Sequence, residues 1–186
     1  MNPPTQKLLN ELEIFGKEHE GYYNIPAETG KFFYNLVLIS KAKKFLEIGT
    51  SNGYSTIWLA EAAKHNKGKV ITIEISKHKV NIARQNFKRA KLNKIITMIH
   101  GDALKEIPKL KGKFDFMFID AIKEDYINYL NLAEKKLKKG CIVVADNAIM
   151  FKNYMQDYLK YVEKDKKYSS ILVPIGSGVE FSLKIK

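Results

Sequence analysis

Phe45-Leu-Glu-Ile-Gly-Thr-Ser-Asn-Gly-Tyr-Ser-Thr-Ile-Trp-Leu-Ala60 is the stretch that most narrows the folds open to this chain. Lys44 to Ile48 is a short apolar run carrying one acid, Glu47. Gly49 and Gly53 then bracket a tight turn, and Ser55 is placed to cap the helix that continues through Trp58 and Leu59. A strand feeding a helix through a glycine turn is the building unit of a parallel α/β sheet. Such a turn aims free backbone N–H groups at a ligand, and glycine lets the main chain come close to it. The spacing is Glu-x-Gly-x-x-x-Gly rather than Gly-x-Gly-x-x-Gly, and no Gly-Lys-Ser/Thr ending follows, which argues against a triphosphate loop. An acid at the strand end repels a pyrophosphate and suits a cationic or hydroxyl-bearing ligand. An ordinary strand-to-helix turn has the same pattern, so the rest of the chain must decide.

In chain order, Thr5 is placed to cap a first helix whose Leu8, Leu9, Leu12 and Phe15 form one apolar stripe ending near Gly16. Tyr22, Tyr23 and Ile25 run extended into Pro26, and a second helix spans Ala27 to Ser40. After the glycine turn, strands and helices alternate. Strands are expected at Lys69 to Ile75, Ile95 to His100, Phe114 to Ile119 and Ile142 to Ala145, and helices at Lys77 to Leu92 (capped by Ser76), Glu124 to Leu137 and Phe151 to Lys164. Gly140 has the look of a helix C′ residue. Ile171 to Pro174 and Val179 to Ile185 form a closing pair of strands joined through Gly176-Ser-Gly178. The pattern predicts one doubly wound α/β domain over residues 1–186, with no linker and no internal repeat.

Ligands of open α/β sheets bind at the carboxyl ends of the strands. Glu47, Glu74, Asp120 and Asp146 fall at or near the ends of strands one, two, four and five. Each alone can be a loop acid or a helix cap; together they point to a site. Glu74 lies where a strand-two acid accepts hydrogen bonds from ribose hydroxyls, about 20 residues beyond the glycine turn. Gly101-Asp102-Ala103 can border an adenine edge, or Asp102 can cap a helix. Asp120, Asp146 and Asn147 offer hard oxygen donors suited to Mg²⁺ or a similar divalent ion, while His19, His65, His78 and His100 are scattered.

Composition excludes several classes. The 186 residues are 45% apolar and 28% charged, which is globular rather than disordered. The one thiol, Cys141, opens an apolar run and reads as buried, so no intrachain disulfide framework exists and a reducing, cytoplasmic setting is expected. No apolar run approaches bilayer length. The net charge of +12 comes almost entirely from lysine, since Arg84 and Arg89 are the only arginines. Lysine appears in every segment, as expected of a generally basic surface, and the arginine shortage weakens specific nucleic-acid reading without excluding electrostatic docking.

Four blocks together resemble the cation-dependent, S-adenosylmethionine-using O-methyltransferases, the catechol and caffeoyl-coenzyme A type. They are Leu46-Glu-Ile-Gly-Thr-Ser-Asn-Gly-Tyr-Ser-Thr56, Val70-Ile-Thr-Ile-Glu74, Phe114-Asp-Phe-Met-Phe-Ile-Asp-Ala-Ile-Lys-Glu-Asp-Tyr126 and Gly140-Cys-Ile-Val-Val-Ala-Asp-Asn147. The resemblance runs from about Asn24 to the C-terminus. It implies a Rossmann-like, seven-stranded, mostly parallel sheet with an antiparallel C-terminal strand, and N-terminal helices over residues 1–40 that cover the active site. It also implies that Glu47, Gly49, Thr50 and Ser55 line the methionine part of the cofactor, Glu74 holds the ribose, and Asp102 and Ala103 border the adenine. Ile25 falls in the segment that passes over the cofactor, with Asp120 beside it.

By the same resemblance, Asp120, Asp146 and Asn147 match the metal ligands, Lys123 the general base, and Glu180 an acid that touches a substrate hydroxyl. The implied reaction is methylation of a vicinal-hydroxyl small molecule: the divalent ion lowers the pKa of one hydroxyl and Lys123, neutral at that moment, takes its proton. The run Ala-Ile-Met-Phe-Lys152 after Asn147 departs from the Leu-Trp and glycine common in plant members, and the N-terminal region is short, so the acceptor is open. A bacterial branch acts on hydroxylated uridine in transfer RNA, and the net charge keeps that as the alternative. A homodimer is expected, since the family often forms one.

Overall fold

The computed structural model describes every residue except Asn2. Two N-terminal helices, α1 (Pro3–Glu18) and α2 (Ala27–Ser40), precede β1 (Lys44–Ile48) and α3 (Tyr54–His65). There follow β2 (Lys69–Glu74), α4 (Lys77–Arg89), β3 (Ile96–His100), the single turn α5 (Ala103–Glu106), β4 (Phe114–Ile119) and α6 (Tyr126–Glu134). The chain closes with β5 (Leu137–Asp146), α7 (Gln156–Lys164), β6 (Tyr168–Val173) and β7 (Val179–Lys184). The strands form one seven-stranded sheet in the order β3-β2-β1-β4-β5-β7-β6. β7 alone runs against its neighbours, pairing antiparallel with both β5 and β6. The order reverses beside β1, and that switch point opens a crevice at the strand tips.

Both faces of the sheet are covered, which is why its central strands read as unbroken apolar runs. On one face Phe45, Phe116, Phe118 and Val144 pack against α1 to α4, with the Phe33 ring edge-on to Phe118 at 4.9 Å. On the other, Leu46, Ile48, Met117, Ile119 and Val143 pack against α6 and α7. Cys141 is buried there, and burial pushes its thiol up to about 12, out of range for reactivity near neutral pH. No helix among the described residues is long and apolar enough to cross a membrane.

Several local expectations are corrected. Thr5 does not cap α1: the helix begins at Pro3, where proline costs nothing, and Thr5 is buried, donating to Glu61 Oε1 at 2.8 Å. Helix α6 ends at Glu134, and the apolar Leu137 already belongs to β5. Gly140 is therefore no helix cap. It sits within β5 at φ +82°, where the register with β4 shifts between the pairs Phe114–Leu137 and Phe116–Ile142. A bulge and a helix C′ both demand positive φ, so a lone glycine cannot tell them apart. The final helix is broken at Met155, with only a 3₁₀ turn at Lys152–Tyr154 before α7.

Exposed lysines occur all around the domain, as the sequence implied, Lys77, Lys105 and Lys152 by the strand tips included, and one set of them lies together. That set sits at the amino ends of the parallel strands: Lys41, Lys43 and Lys44 before and at β1, Lys67 and Lys69 at β2, Lys91 and Lys94 before β3, Lys111 and Lys113 before β4, Lys138 and Lys139 in β5. Helix C-termini end there too, and their dipoles favour cations. Glu47, Glu74, Asp120 and Asp146 stand at the opposite end.

Candidate active site

The β1–α3 turn is fixed by backbone stitching. Gly49, at φ +92°, donates its N–H to Ile73 O at 3.0 Å, and Asp120 N–H donates to Ile48 O at 2.9 Å. This locks the tips of β2, β1 and β4 together. Glu74 is tied to the same turn, its Oε2 accepting from the N–H groups of Ser51 at 2.8 Å and Thr50 at 3.2 Å, and its Oε1 from Ser76 N–H at 2.9 Å. Ser76 in turn caps α4, as expected.

Ser55 has a different task from the one expected. The residue preceding α3 is Gly53 in the left-handed region, with no side-chain cap, and Ser55 lies inside the helix. Its hydroxyl donates to Glu47 Oε1 at 2.7 Å while Thr56 donates to Oε2 at 2.5 Å. Glu47 is fully buried, and that burial raises its carboxyl from an ordinary 4.5 to about 7, opposed by the Thr56, Thr72 and Ser55 hydroxyls.

Between pH 4.5 and 7 the folded protein therefore keeps a proton that the unfolded chain has lost. Stability is expected to fall by about 3 kcal/mol as pH rises through that window and then to level off. Glu47→Gln should flatten this slope in urea titrations run from pH 4.5 to 8; an unchanged slope would move its origin elsewhere.

A cavity of about 420 Å³ opens at the strand tips, lined among others by Gly49, Ser51, Glu74, Asp102, Ala103, Asp120, Lys123 and Tyr129. Its size suits a nucleoside-bearing ligand. Asp102 caps α5, one of its two sequence readings, by accepting from Leu104 N–H at 2.9 Å, and it also lines the cavity. Glu47, Thr50 and Ser55 stand behind the wall, as does Ile25, which is buried in the core. The segment containing Ile25 reaches the cavity through Gly21 and Tyr23 instead.

Lys123 stands at the cavity edge, mostly buried, donating to Asp120 Oδ1 at 2.8 Å and to the Tyr126 hydroxyl at 2.8 Å. It also lines a second hollow of about 280 Å³ with Glu124, Asn153, Tyr154 and Asp157. Tyr126 is wholly buried, and its hydroxyl donates to the Asp146 carbonyl at 3.4 Å. Burial, with the charges of Asp120 and Asp146, holds that phenol well above its ordinary range, so it stays a neutral donor. Asp146 is buried and accepts from Ser177 Oγ at both carboxylate oxygens, 3.0 and 3.1 Å away. Burial and the nearby Asp120 charge raise its pKa. Asn147 follows at φ +68°, a left-handed position asparagine tolerates better than most.

Among the described residues no three His, Cys, Asp or Glu side chains gather to hold a metal. The candidate set has two carboxylates and the Asn147 carboxamide. Two neighbouring acids, one buried and answered mainly by hydroxyl and amide donors, suit a hard divalent cation. Glu180 is not brought to the cavity. It pairs across from Ala145 on the α7 face of the sheet and accepts from Ser170 Oγ. Ser177 and the bracing role of Tyr126 escaped sequence reasoning, since Ser177 read only as a turn residue and Tyr126 as part of an apolar helix face. A strand-tip acid that needs a fixed orientation is the signal that could have found Ser177.

A mostly parallel sheet with an acid at each of four strand tips and a Glu-x-Gly-x-x-x-Gly turn over a nucleoside-sized cavity defines a Rossmann-like methyltransferase domain. The chain belongs to the O-methyltransferase family, whose model matches residues 4–185. It is 39% identical over 126 residues to a catechol O-methyltransferase of Mycobacterium tuberculosis, a match covering 67% of this chain and 57% of that protein. It is 25% identical over 209 residues to a caffeoyl-CoA O-methyltransferase of Medicago sativa, covering 99% and 84%. Among solved structures, an O-methyltransferase of Bacillus cereus in complex with SAH superposes with a TM-score of 0.85 at 28% identity, covering 96% of this chain and 90% of that one.

Proposed function

We propose that the protein transfers the methyl group of S-adenosylmethionine to one hydroxyl of a catechol-like small molecule, with Lys123 as general base and a divalent ion held by Asp120, Asp146 and Asn147. The observation that carries this reading is the position of Lys123, braced by Asp120 and Tyr126 on the border between two hollows. A methyl donor in the larger hollow and an acceptor on the other side of Lys123 would meet beside its amine.

Gly49 lets the donor's amino-acid end come close to the backbone, Glu74 accepts from the ribose hydroxyls, and Asp102 and Ala103 border the adenine. The bound ion would supply positive charge that acidifies the acceptor hydroxyl. Lys123 Nζ takes the hydroxyl proton, for which it must arrive unprotonated and turn from Asp120. Tyr126 keeps the amine in place while it does so. The acceptor oxygen attacks the sulfonium methyl in line, the S–C bond breaks with its electron pair left on sulfur, and S-adenosylhomocysteine departs. Charge lends the transfer RNA alternative no particular support, because exposed lysines lie at both ends of the sheet, Lys77, Lys105 and Lys152 by the strand tips and Lys43, Lys69 and Lys113 at the far end, rather than collecting beside Lys123.

Incubation with S-adenosylmethionine, a catechol and Mg²⁺ should yield the monomethyl ether by mass spectrometry. A chelator should stop the reaction and added Mg²⁺ restore it. Turnover untouched by chelation would remove the metal from the mechanism, and calorimetry showing no S-adenosylmethionine binding would overturn the activity itself.

A further inference from the structure

The geometry points to Lys79 as the latch that holds the segment 19–26 over the methyl-donor cavity and so sets how fast donor and product exchange. The inference rests on the donor reading of that cavity. Lys79 lies in the first turn of α4, where its neighbours Lys77 and His78 are exposed but Lys79 is half-buried. Its Nζ donates to Gly21 O at 2.7 Å and lies 5.4 Å from the centre of the Tyr22 ring. No carboxylate pairs with it among the described residues, although Glu74 lines the same cavity. A long flexible side chain has thus been ordered against a backbone carbonyl rather than left in water, and that costs conformational entropy.

Gly21, Tyr23 and Lys79 all line the cavity, so the bond joins the N-terminal segment to α4 at the cavity wall. On its other flank the segment is anchored to α1, with Asn24 Nδ2 donating to Leu12 O at 2.7 Å and Tyr22 packing edge-on against Phe15. The anchor on the sheet side also registers the latch to the donor. Glu74 accepts from Ser76 N–H, Ser76 Oγ accepts from Lys79 N–H, and Lys79 reaches Gly21. The turn that places the ribose-binding acid therefore also carries the latch. Tyr23 is 76% exposed although it lines the cavity, so its own side chain does little to hold the segment, which is left to the α1 contacts on one flank and to Lys79 on the other.

Lys79→Met keeps the length and apolar stem but loses the donor, whereas Lys79→Arg keeps a cation. A hydrogen bond from a charged group predicts that Lys79→Met raises the dissociation rate of S-adenosylhomocysteine roughly ten- to hundredfold, read by stopped-flow chase. The loss should appear in KM for the donor rather than in kcat, and Lys79→Arg should recover most of it. Because the latch is present without ligand, Lys79→Met should also speed chymotryptic cleavage after Tyr22 or Tyr23 in the ligand-free protein. Wild-type dissociation and cleavage rates in Lys79→Met would overturn the latch. Failure of the wild-type protein to bind S-adenosylhomocysteine would overturn the donor reading instead, while the cleavage comparison would still decide whether Lys79 holds the segment.

Discussion

Lys123→Ala is expected to lower turnover by about 10²- to 10⁴-fold, the usual loss when a positioned base is removed, while calorimetric affinity for S-adenosylmethionine changes little. The separation follows from where the side chain spends its bonds. The Lys123 amine is bonded to Asp120 and Tyr126, while Glu74, the acid proposed to hold the donor's ribose, is held by the glycine-turn amides and Ser76. Removing the amine therefore leaves the donor-binding wall standing. Lys123→Arg should be nearly as inactive, because a guanidinium keeps the charge and can pair with Asp120 but does not give up its proton. A Lys123→Ala protein retaining more than a tenth of wild-type turnover would remove Lys123 as the base. Equal losses in turnover and donor affinity would make it a binding residue.

Gly49→Ala is expected to cost more than about 4 kcal/mol, enough to unfold much of the protein under ordinary conditions. Two effects combine. A φ of +92° strains any residue with a Cβ, by about 1–2 kcal/mol. The new methyl would also fall 1.9 Å from the Asp120 carbonyl oxygen. That oxygen cannot yield cheaply, because Asp120 N–H is bonded to Ile48 O and Gly49 N–H to Ile73 O, so relief requires parting strand tips. Gly140→Ala is the internal control: its φ is +82°, yet a Cβ there meets nothing within 4 Å, and only the strain should register. Chemical denaturation of both variants separates strain from clash, and equal costs would show that the close approach at Gly49 does not matter.

The glycine at 49 also illustrates what was legible beforehand. Its spacing from Glu47 and Gly53 announced a turn of positive φ at a strand tip, and both glycines have it. The alternation of apolar runs and helical stripes announced the α/β sheet, because strands buried on both faces can be written in no other way. Glu74, Asp102 and Asp120 were placed near the strand tips by the rule that ligands sit there, while Lys123 came only from the family resemblance, and all four line one cavity.

What sequence could not supply were partners distant along the chain. Ser55 looked like a helix cap because serine at a helix start usually is one, but a buried acid eight residues earlier claims its hydroxyl. Ser177 meets Asp146 only because β7 turns back beside β5. Glu180 lies in β7 itself, beyond the turn that carries Ser177, and is held on the α7 face of the sheet by Ser170. One set of the exposed lysines lies together at the amino ends of the parallel strands because every parallel strand begins there.

Local pattern by itself determined the order of elements, the glycine turn and the acids that end the strands, all of which are set by backbone preference and periodicity within a few residues. Only the tertiary structure decided which of those acids share a cavity, which hydroxyls hold them, and that Lys79 reaches Gly21 beside the cavity. Those contacts join residues brought together by strand order and chain reversal, and a hydrogen bond between distant segments leaves no periodic trace in the sequence of either.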